Sequence, residues 1–214
     1  MRKLFVLVLA LLAAPARAEV RARDVAGDFD YYMLSLSWSP NWCALTGDDR
    51  NSPQCDVSEN FGWVLHGLWP QYESGWPERC RTSFNAPTRT QTAAMADIMG
   101  TSGLAWHEWD AHGVCSGLSP GHYYAFARLA YSKVVRPAVF ERLDHSVNLP
   151  ASVVQDAFLA ENPGLTPDQI TVTCDDGYIQ EARICLTRDL QFRRCGSDAV
   201  RDCTLDDAQF DPVR

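Results

Sequence analysis

The segments WVLHGLWP (residues 63–70) and WHEWDAHGVC (residues 106–115) organise the rest of the chain. Together they contain three of its five histidines and four of its seven tryptophans. If the two segments meet in the fold, His66 and His112 supply two titratable imidazoles and Glu108 supplies a carboxylate. Because imidazoles gain and lose protons near neutral pH, this set suits acid–base catalysis on a substrate with a flat ring. Neither segment contains a serine that could act as a nucleophile.

The spacing within the second segment argues against a metalloprotease site. On a helix over residues 104–115, His107 and His112 would lie about 140° apart. A zincin needs two histidines four residues apart, and the residue four after His107 is Ala111. Glu108 and His112 are four apart, so we expect them to touch. A carboxylate there would raise the pKa of His112 and orient its ring.

The first 18 residues resemble a cleaved secretory signal. Arg2 and Lys3 form a positive start, Leu4–Ala14 is an unbroken apolar run, and Ala16–Ala18 is a small-residue cleavage site. The apolar run is shorter than the roughly 20 residues that span a bilayer, and no other stretch is long or apolar enough. We therefore predict a signal peptide over 1–18, a single domain over 19–214, and a secreted or periplasmic protein without a membrane segment.

The charge of the chain argues against binding of polyanions. The formal net charge is −8. Removal of the predicted signal would also remove Arg2, Lys3 and Arg17, and the net charge would become −11. Because the mean field of an acidic protein repels phosphate, any binding of nucleic acid must depend on charges within the site.

The eight cysteines predict four disulfides in an oxidising compartment, because their number is even and a signal peptide precedes them. About a hundred pairings are possible, and the sequence alone does not choose among them. Zinc binding is the alternative, but no C-x-x-C pair occurs. The cysteines are Cys43, Cys55, Cys80, Cys115, Cys174, Cys185, Cys195 and Cys203.

Residue patterning predicts strands near both ends of the chain and helices between them, which favours an α+β fold. The segment 61–65 is expected to be a central strand that presents His66 at its end, where Gly67 and Pro70 break regular structure. Strands are predicted over 29–39, 61–65, 170–174 and 179–186, and helices over 90–99, 104–115, 119–136 and 151–160.

Both segments closely resemble the signature segments of the ribonuclease T2 family of secreted, metal-independent endoribonucleases. HGLWP (66–70) resembles the first signature, and HEWDAHGVC (107–115) resembles the second except at Ala111. The likeness extends over most of the mature chain, since YMLSLSW (32–38) resembles the family's first strand and EARICL (181–186) its late strand. The resemblance implies a central antiparallel sheet with helices packed on it.

The resemblance also implies a reaction. We expect cleavage of single-stranded RNA by its own 2′-hydroxyl, with 2′,3′-cyclic phosphate products and low base specificity. His112 would be the base and His66 the acid, while His107 would hold the phosphate. Glu108 would help polarise the phosphate and orient His112.

Substrate contacts follow from the same resemblance. Trp69 would stack on a base, and Gln71 and Tyr72 would also bind the substrate. Gln71 stands where many members carry an acidic residue, which leaves base preference open. No metal, cofactor or obligate protein partner is implied, and a monomer is expected.

Ala111 departs from the family pattern, which has a lysine facing the phosphate. In one hypothesis the chain is an active enzyme, with protonated His107 or a nearby arginine supplying the charge. In the other, catalysis is weak or lost and the protein binds RNA or another partner. A third interpretation, a hydrolase for a different substrate, would need a nucleophile that the sequence does not offer.

The resemblance further implies the pairs Cys80–Cys115, Cys174–Cys203 and Cys185–Cys195, which leaves Cys43 with Cys55.

Acid conditions charge histidines and begin to neutralise carboxylates, so RNA binding should improve as the pH falls. We therefore predict a mildly acidic optimum.

Overall fold

A computed structural model describes residues 25–214 of the chain. The predicted signal peptide over 1–18 and the predicted start of the mature chain at Glu19 lie outside the described residues.

One sheet forms the centre of the described structure. Its strands run in the order β2-β1-β5-β6-β3, and β4 pairs with β5 as well. Pairing is antiparallel except between β5 and β6, which meet in parallel at Tyr178 and Gln209. The strands are β1 (Tyr31–Trp38), β2 (Trp63–Gln71), β3 (Val147–Leu149), β4 (Ile170–Asp175), β5 (Tyr178–Leu186) and β6 (Ala208–Phe210).

Helices connect the strands and pack on one face of the sheet, so the predicted α+β fold is confirmed. The longer helices α4, α5 and α6 contact β2 and β4. The helices are α1 (Ser39–Trp42), α2 (Arg89–Ala93), α3 (Ala96–Met99), α4 (Ser102–Ala111), α5 (Pro120–Lys133) and α6 (Ala151–Glu161). Within residues 25–214, no helix has the length and apolar character needed to cross a membrane.

The two faces of the sheet differ because side chains alternate along each strand. Leu34 and Leu36 of β1 and Ile184 of β5 are fully buried in the main core beneath the helices. On the opposite face, Tyr31 and Met33 form a second, smaller apolar cluster with Cys185 and Cys195. This second face also carries the polar residues of the candidate site.

Strand β2 differs from its prediction in length and position. It continues through Gly67 and Pro70 to Gln71, and it lies at an edge of the sheet rather than at the centre. An edge strand tolerates proline because one side of its backbone needs no partner. The sequence pattern of 61–65 predicted a central strand because it is continuously apolar, but its burial comes from helices rather than from a second neighbouring strand.

The helix predictions hold with changes at their ends. The segment 90–99 forms two short helices, α2 and α3, and ends as predicted at Gly100, whose φ of 79° favours glycine. Ser119 caps α5 by accepting a hydrogen bond from the backbone of His122. The segment 104–115 does not stay helical throughout: α4 ends at Ala111, and a 3-10 turn follows over Gly113–Ser116.

Strands β4 and β5 form the predicted hairpin, with its turn at Asp176 and Gly177, both of positive φ. All four predicted disulfides are confirmed: Cys43–Cys55, Cys80–Cys115, Cys174–Cys203 and Cys185–Cys195.

Candidate active site

A β-bulge in β2 presents His66. Ser35 of β1 pairs with Gly67, and Leu36 pairs with Leu65, so His66 is the extra residue between two pairs. Bulges of this kind re-aim a side chain and are frequent beside active sites. The His66 side chain is about one-third exposed (33%), because the bulge turns it out of the regular alternation.

Gly67 allows close packing next to the bulge. A methyl group at this position would overlap the carboxylate of Glu108 and the indole nitrogen of Trp69. Only glycine therefore lets those two side chains meet over β2. The Trp69 indole N–H donates to Glu108 Oε2 at 2.7 Å, which joins the two sequence segments directly.

Helix α4 holds the second segment. Thr101 caps its first turn by accepting from the backbone of Leu104 at 3.0 Å. Glu108 and Trp109 lie on the buried side of this helix, whereas His107 is exposed. The Cys80–Cys115 disulfide ties the end of the segment to the loop that follows β2, as predicted.

His66 lies between two buried carboxylates. Its Nδ1 contacts Oε1 of Glu181, and its Nε2 is 3.6 Å from Oε1 of Glu108. Glu181 is only 2% exposed, and its other oxygen accepts from Arg183 at 2.6 Å. The resulting chain, Arg183–Glu181–His66–Glu108, crosses from β5 to β2 and α4.

These contacts set the charges of the group. Burial alone would lower the pKa of His66, but Glu181 and then Glu108 outweigh it and raise that pKa to about 9. Burial likewise opposes the charge of Glu181, yet His66 and Arg183 lower its pKa to about 2. Burial raises the pKa of Glu108 to about 7, against the opposing effects of His66 and Trp69. At neutral pH, His66 is therefore a cation and Glu181 an anion.

His112 has the opposite electrostatic environment. Burial, followed by the positive charges of His66, His107 and Arg79, lowers its pKa to about 4, so it is neutral at pH 7. Its ring lies 5.2 Å from that of Trp69, tilted by 35°. Trp69 is also 5.3 Å from the ring of His66, so one indole bridges the two histidines.

The expected effect of Glu108 on His112 is wrong. The prediction assumed that His112 continues the helix, but at φ −123° and ψ −45° it leaves the helical path. Glu108 instead directs its oxygens to His66 and Trp69. Accordingly the pKa of His112 is lowered rather than raised.

The two histidine segments border one cleft of about 250 Å³. Trp69, Gln71 and His112 line this cleft, whereas Tyr72 packs against the main core and is not part of its wall. The amide of Gln71 is buried and donates to the carbonyl of Pro70 at 2.9 Å. The remaining wall consists of Met33, Trp76, Arg183, Asp198, Ala199 and Arg201.

Several residues of the site carried no functional prediction. In the sequence, Glu181 and Arg183 belong to a strand that resembles the family's late strand, and that likeness assigns them no function. Two charged residues alternating within an apolar strand were the available signal, since the same sheet face must neutralise them. Trp76, Asp198 and Arg201 lie on loops, where the sequence offered no signal.

Ala111 lies at the end of α4 and is 2% exposed, so no cation projects from this position. Arginines stand nearby instead. The backbone N–H of Arg79 donates to the carbonyl of Ala111 at 2.9 Å, and its side chain pairs with Asp110. Arg183 lies 5.3 Å above the Trp69 ring. Among residues 25–214 no cluster of three or more His, Cys, Asp or Glu side chains could hold a metal ion.

Comparison with known proteins supports the likeness seen in the two segments. The model of the ribonuclease T2 family matches residues 29–195. The chain belongs to the ribonuclease T2 family. The match includes His66, His112 and Glu181, but it ends before Asp198 and Arg201.

Curated relatives and solved structures agree with the family. A ribonuclease of Aeromonas hydrophila is 43% identical over 127 residues, covering 59% of this chain and 56% of that protein. The chain thus spans about half the length of the curated relatives it first matches. The RNase-related protein from Calystegia sepium shares the fold with a TM-score of 0.67 at 18% identity, covering 87% of this chain and 98% of that one. RNase NT in complex with 5′-AMP gives a TM-score of 0.57 at 20% identity, covering 86% and 99%.

Proposed function

We propose that this protein is a metal-independent endoribonuclease that cleaves single-stranded RNA by transesterification, with low base specificity. The observation that carries this proposal is that a protonated His66 and a neutral His112 both contact the Trp69 indole, which lines the cleft together with His112. RNA brings its own nucleophile, so the protein needs only an acid, a base and charge for the phosphorane. The family's ribonuclease members support the same conclusion.

The opposite charge states assign the two proton transfers. Neutral His112 accepts the proton of the 2′-hydroxyl while the 2′-oxygen attacks phosphorus. The bond from phosphorus to the 5′-oxygen breaks, and protonated His66 gives its proton to that oxygen. The products are a 2′,3′-cyclic phosphate and a 5′-hydroxyl, and each imidazole contributes a factor of about 10²–10⁴.

The neighbouring carboxylates support the acid. Glu181 holds Nδ1 of His66, which leaves Nε2 as the nitrogen that donates to the leaving group. Glu108 fixes Trp69 and stands 3.6 Å from that same Nε2. Glu108 therefore acts on His66 and Trp69, rather than on His112 as the sequence suggested.

His107 would hold the phosphate, and Arg79 and Arg183 place positive charge near the phosphorane. Arg79 and His107 are close enough to His112 to lower its pKa, and Arg183 lines the cleft itself. Trp69 and the 47% exposed Trp76 give aromatic surfaces for a base. Because every base has a flat face, such stacking tolerates sequence, which supports low base specificity.

The test is an RNA-cleavage assay in EDTA with wild type, His66→Ala, His112→Ala and Ala111→Lys. We expect wild type to leave fragments that end in cyclic phosphate and to spare DNA, which lacks the 2′-hydroxyl. Both histidine variants should lose cleavage, and Ala111→Lys should preserve or raise it. Loss of wild-type activity in EDTA would contradict metal independence.

Ala111 favours one other function, that of an RNA-binding protein without catalysis. Loss of a single electrostatic contact to the transition state costs about 10²–10³ in rate. Intact RNA together with measurable binding by wild type would support this second function and overturn the first.

We further propose a secreted or periplasmic site of action for the monomeric protein. Four disulfides over 190 described residues suit an oxidising compartment. Fractionation of expressing cells, with mass determination of the mature chain, tests both the location and the predicted cleavage after residue 18.

A further inference from the structure

A second recess adjoins the cleft on the side away from β2. The residues that line it include Thr173 of β4, Gln180 of β5, and Arg201, Asp202 and Thr204. Arg183 and Arg201 line both the cleft and this recess, so the two spaces meet at these side chains. We call it the Arg201 recess.

The cationic group of Arg201 is available to a ligand. Its Nε donates to the carbonyl of Asp198 at 3.2 Å, and no carboxylate of residues 25–214 lies within ion-pair distance of it. Other arginines near the cleft are paired: Arg79 with Asp110, Arg183 with Glu181, and Arg193 with Glu73. An exposed, unpaired guanidinium in an acidic chain is the feature that anionic ligands recognise.

The carboxylate of Asp202 does not cancel this charge by pairing with it. Asp202 Oδ1 accepts from the Thr171 hydroxyl at 2.6 Å and from the backbone of Val172 at 3.2 Å. These bonds turn the carboxylate toward β4, which anchors the segment rather than capturing Arg201.

The backbone around Arg201 is held in place before any ligand binds. The N–H of Arg201 donates to the Thr171 hydroxyl at 3.2 Å, and Cys203 donates to the carbonyl of Val172 at 2.8 Å. The disulfide Cys174–Cys203 joins the same segment to the end of β4. Such anchoring lowers the entropy cost of binding.

We propose that the Arg201 recess binds a second phosphodiester of the RNA chain, next to the one that is cleaved. This inference rests on the proposed function. Arg201 supplies a planar donor for the phosphate oxygens, and Gln180 and Thr204 supply neutral donors. The recess thereby extends the substrate from a dinucleotide to a longer strand. Arg201 lies beyond residues 29–195, so this residue is outside the family match.

The test compares two substrates that differ in the number of phosphates. UpU has one phosphodiester and cannot fill the recess while it is cleaved, whereas UpUpUpU can. For Arg201→Gln we expect the ratio of kcat/KM on UpUpUpU to that on UpU to fall about tenfold from the wild-type ratio. For UpUpUpU, the slope of log kcat/KM against the logarithm of the salt concentration should also become less steep by about 0.7. This is the value for one phosphate contact on a single strand.

Two further variants separate the recess from the cleft and from general charge. Gln180 lines the recess alone, so Gln180→Glu should lower the same ratio by placing an anion there. Arg194→Gln removes an equal charge from an 81% exposed position outside both spaces, and should leave the ratio at the wild-type value.

The outcomes distinguish this inference from the function on which it rests. If wild type cleaves neither substrate, the proposed function fails. If wild type cleaves both and Arg201→Gln lowers both rates equally, Arg201 acts in the cleft and the recess proposal is overturned. An equal loss in Arg194→Gln would also overturn it, because the effect would then be one of overall charge.

Discussion

His66 owes its charge to a residue far away in the sequence. Glu181 touches Nδ1 of His66 across 115 positions of the chain, and Arg183 holds Glu181 in turn. Burial works against an imidazolium, so the charge depends on this carboxylate more than on any other neighbour. The acidity of His66 is thus a property of a contact between two strands, and it can be tested at a single residue.

Glu181→Gln should move the alkaline limb of the pH profile of kcat/KM. In wild type, cleavage should fall as pH rises through about 9, where His66 loses its proton. Removal of the carboxylate lowers that pKa, so we expect the limb to shift to lower pH by roughly 1–2 units. The acid limb, set by His112 near pH 4, should stay in place.

Asp202→Asn is a control for the loss of one negative charge on the same sheet face. It should leave the alkaline limb unchanged, because Asp202 binds Thr171 and Val172 rather than His66. Thermal melts of both variants separate loss of fold from loss of proton affinity. An alkaline limb that stays near pH 9 in folded Glu181→Gln would show that Glu181 does not set the charge of His66.

At the scale of elements, strand β2 and helix α4 meet with almost no space between them. The bulge turns His66 out of the sheet, and Gly67 beside it leaves room for Glu108 and Trp69 to bond over the strand. The site is therefore assembled by the approach of two elements, and the smallest side chain at the crossing decides how close they come.

Gly67→Ala should separate these elements. The added methyl group would overlap both Glu108 and Trp69, so one of them must move. We expect a loss of about 1–3 kcal/mol in the free energy of unfolding and a loss of cleavage activity. Denaturant melts and the RNA assay measure the two effects.

Gly103→Ala in α4 is the matched control, since its new methyl would approach only Thr101 Oγ1, at 3.8 Å. This variant should keep full activity, with stability equal to wild type or slightly higher because alanine favours helix. If Gly67→Ala behaved in the same way, the close crossing would not be needed for the site.

For the whole molecule, disulfides link segments that are far apart in the sequence. Cys80–Cys115 holds the second segment against the loop after β2, whereas Cys43–Cys55 closes a loop away from the cleft. Removing either pair by double alanine substitution should cost about 2–4 kcal/mol in the free energy of unfolding. Only the Cys80/Cys115 variant should also raise KM or lower kcat under conditions where it stays folded. Equal activity in both variants would contradict a role for Cys80–Cys115 in holding the site.

The acidic chain should bind RNA better as the pH falls. The net charge of −8 repels phosphate, and carboxylates begin to lose charge below pH 5. We expect KM for RNA, measured at constant ionic strength, to decrease from pH 8 to pH 5. The titrations of His112 and His66 set the two limbs of the pH profile of kcat/KM. Because KM is lower at acid pH, we expect the maximum of that profile to lie at mildly acidic pH. A rate that rises steadily to pH 9 would rule this out.

The sequence by itself determined much of the site and its framework. Two short segments identified His66, Glu108 and His112 as site residues, and the pattern of strands and helices along the chain predicted the α+β architecture. Residue type and spacing within a segment carry these features. The disulfide pairs came instead from the likeness to a known family, because the sequence alone leaves about a hundred pairings open.

Only the tertiary structure decided what the site residues do to one another. The register between β1 and β2 creates the bulge at His66, and the pairing of β1 with β5 brings Glu181 beneath it. The end of α4 turns His112 away from Glu108, which reverses the expected shift of its pKa. Strand register and burial arise from contacts between distant segments, and the charge of a buried group depends on those contacts far more than on its neighbours in the chain.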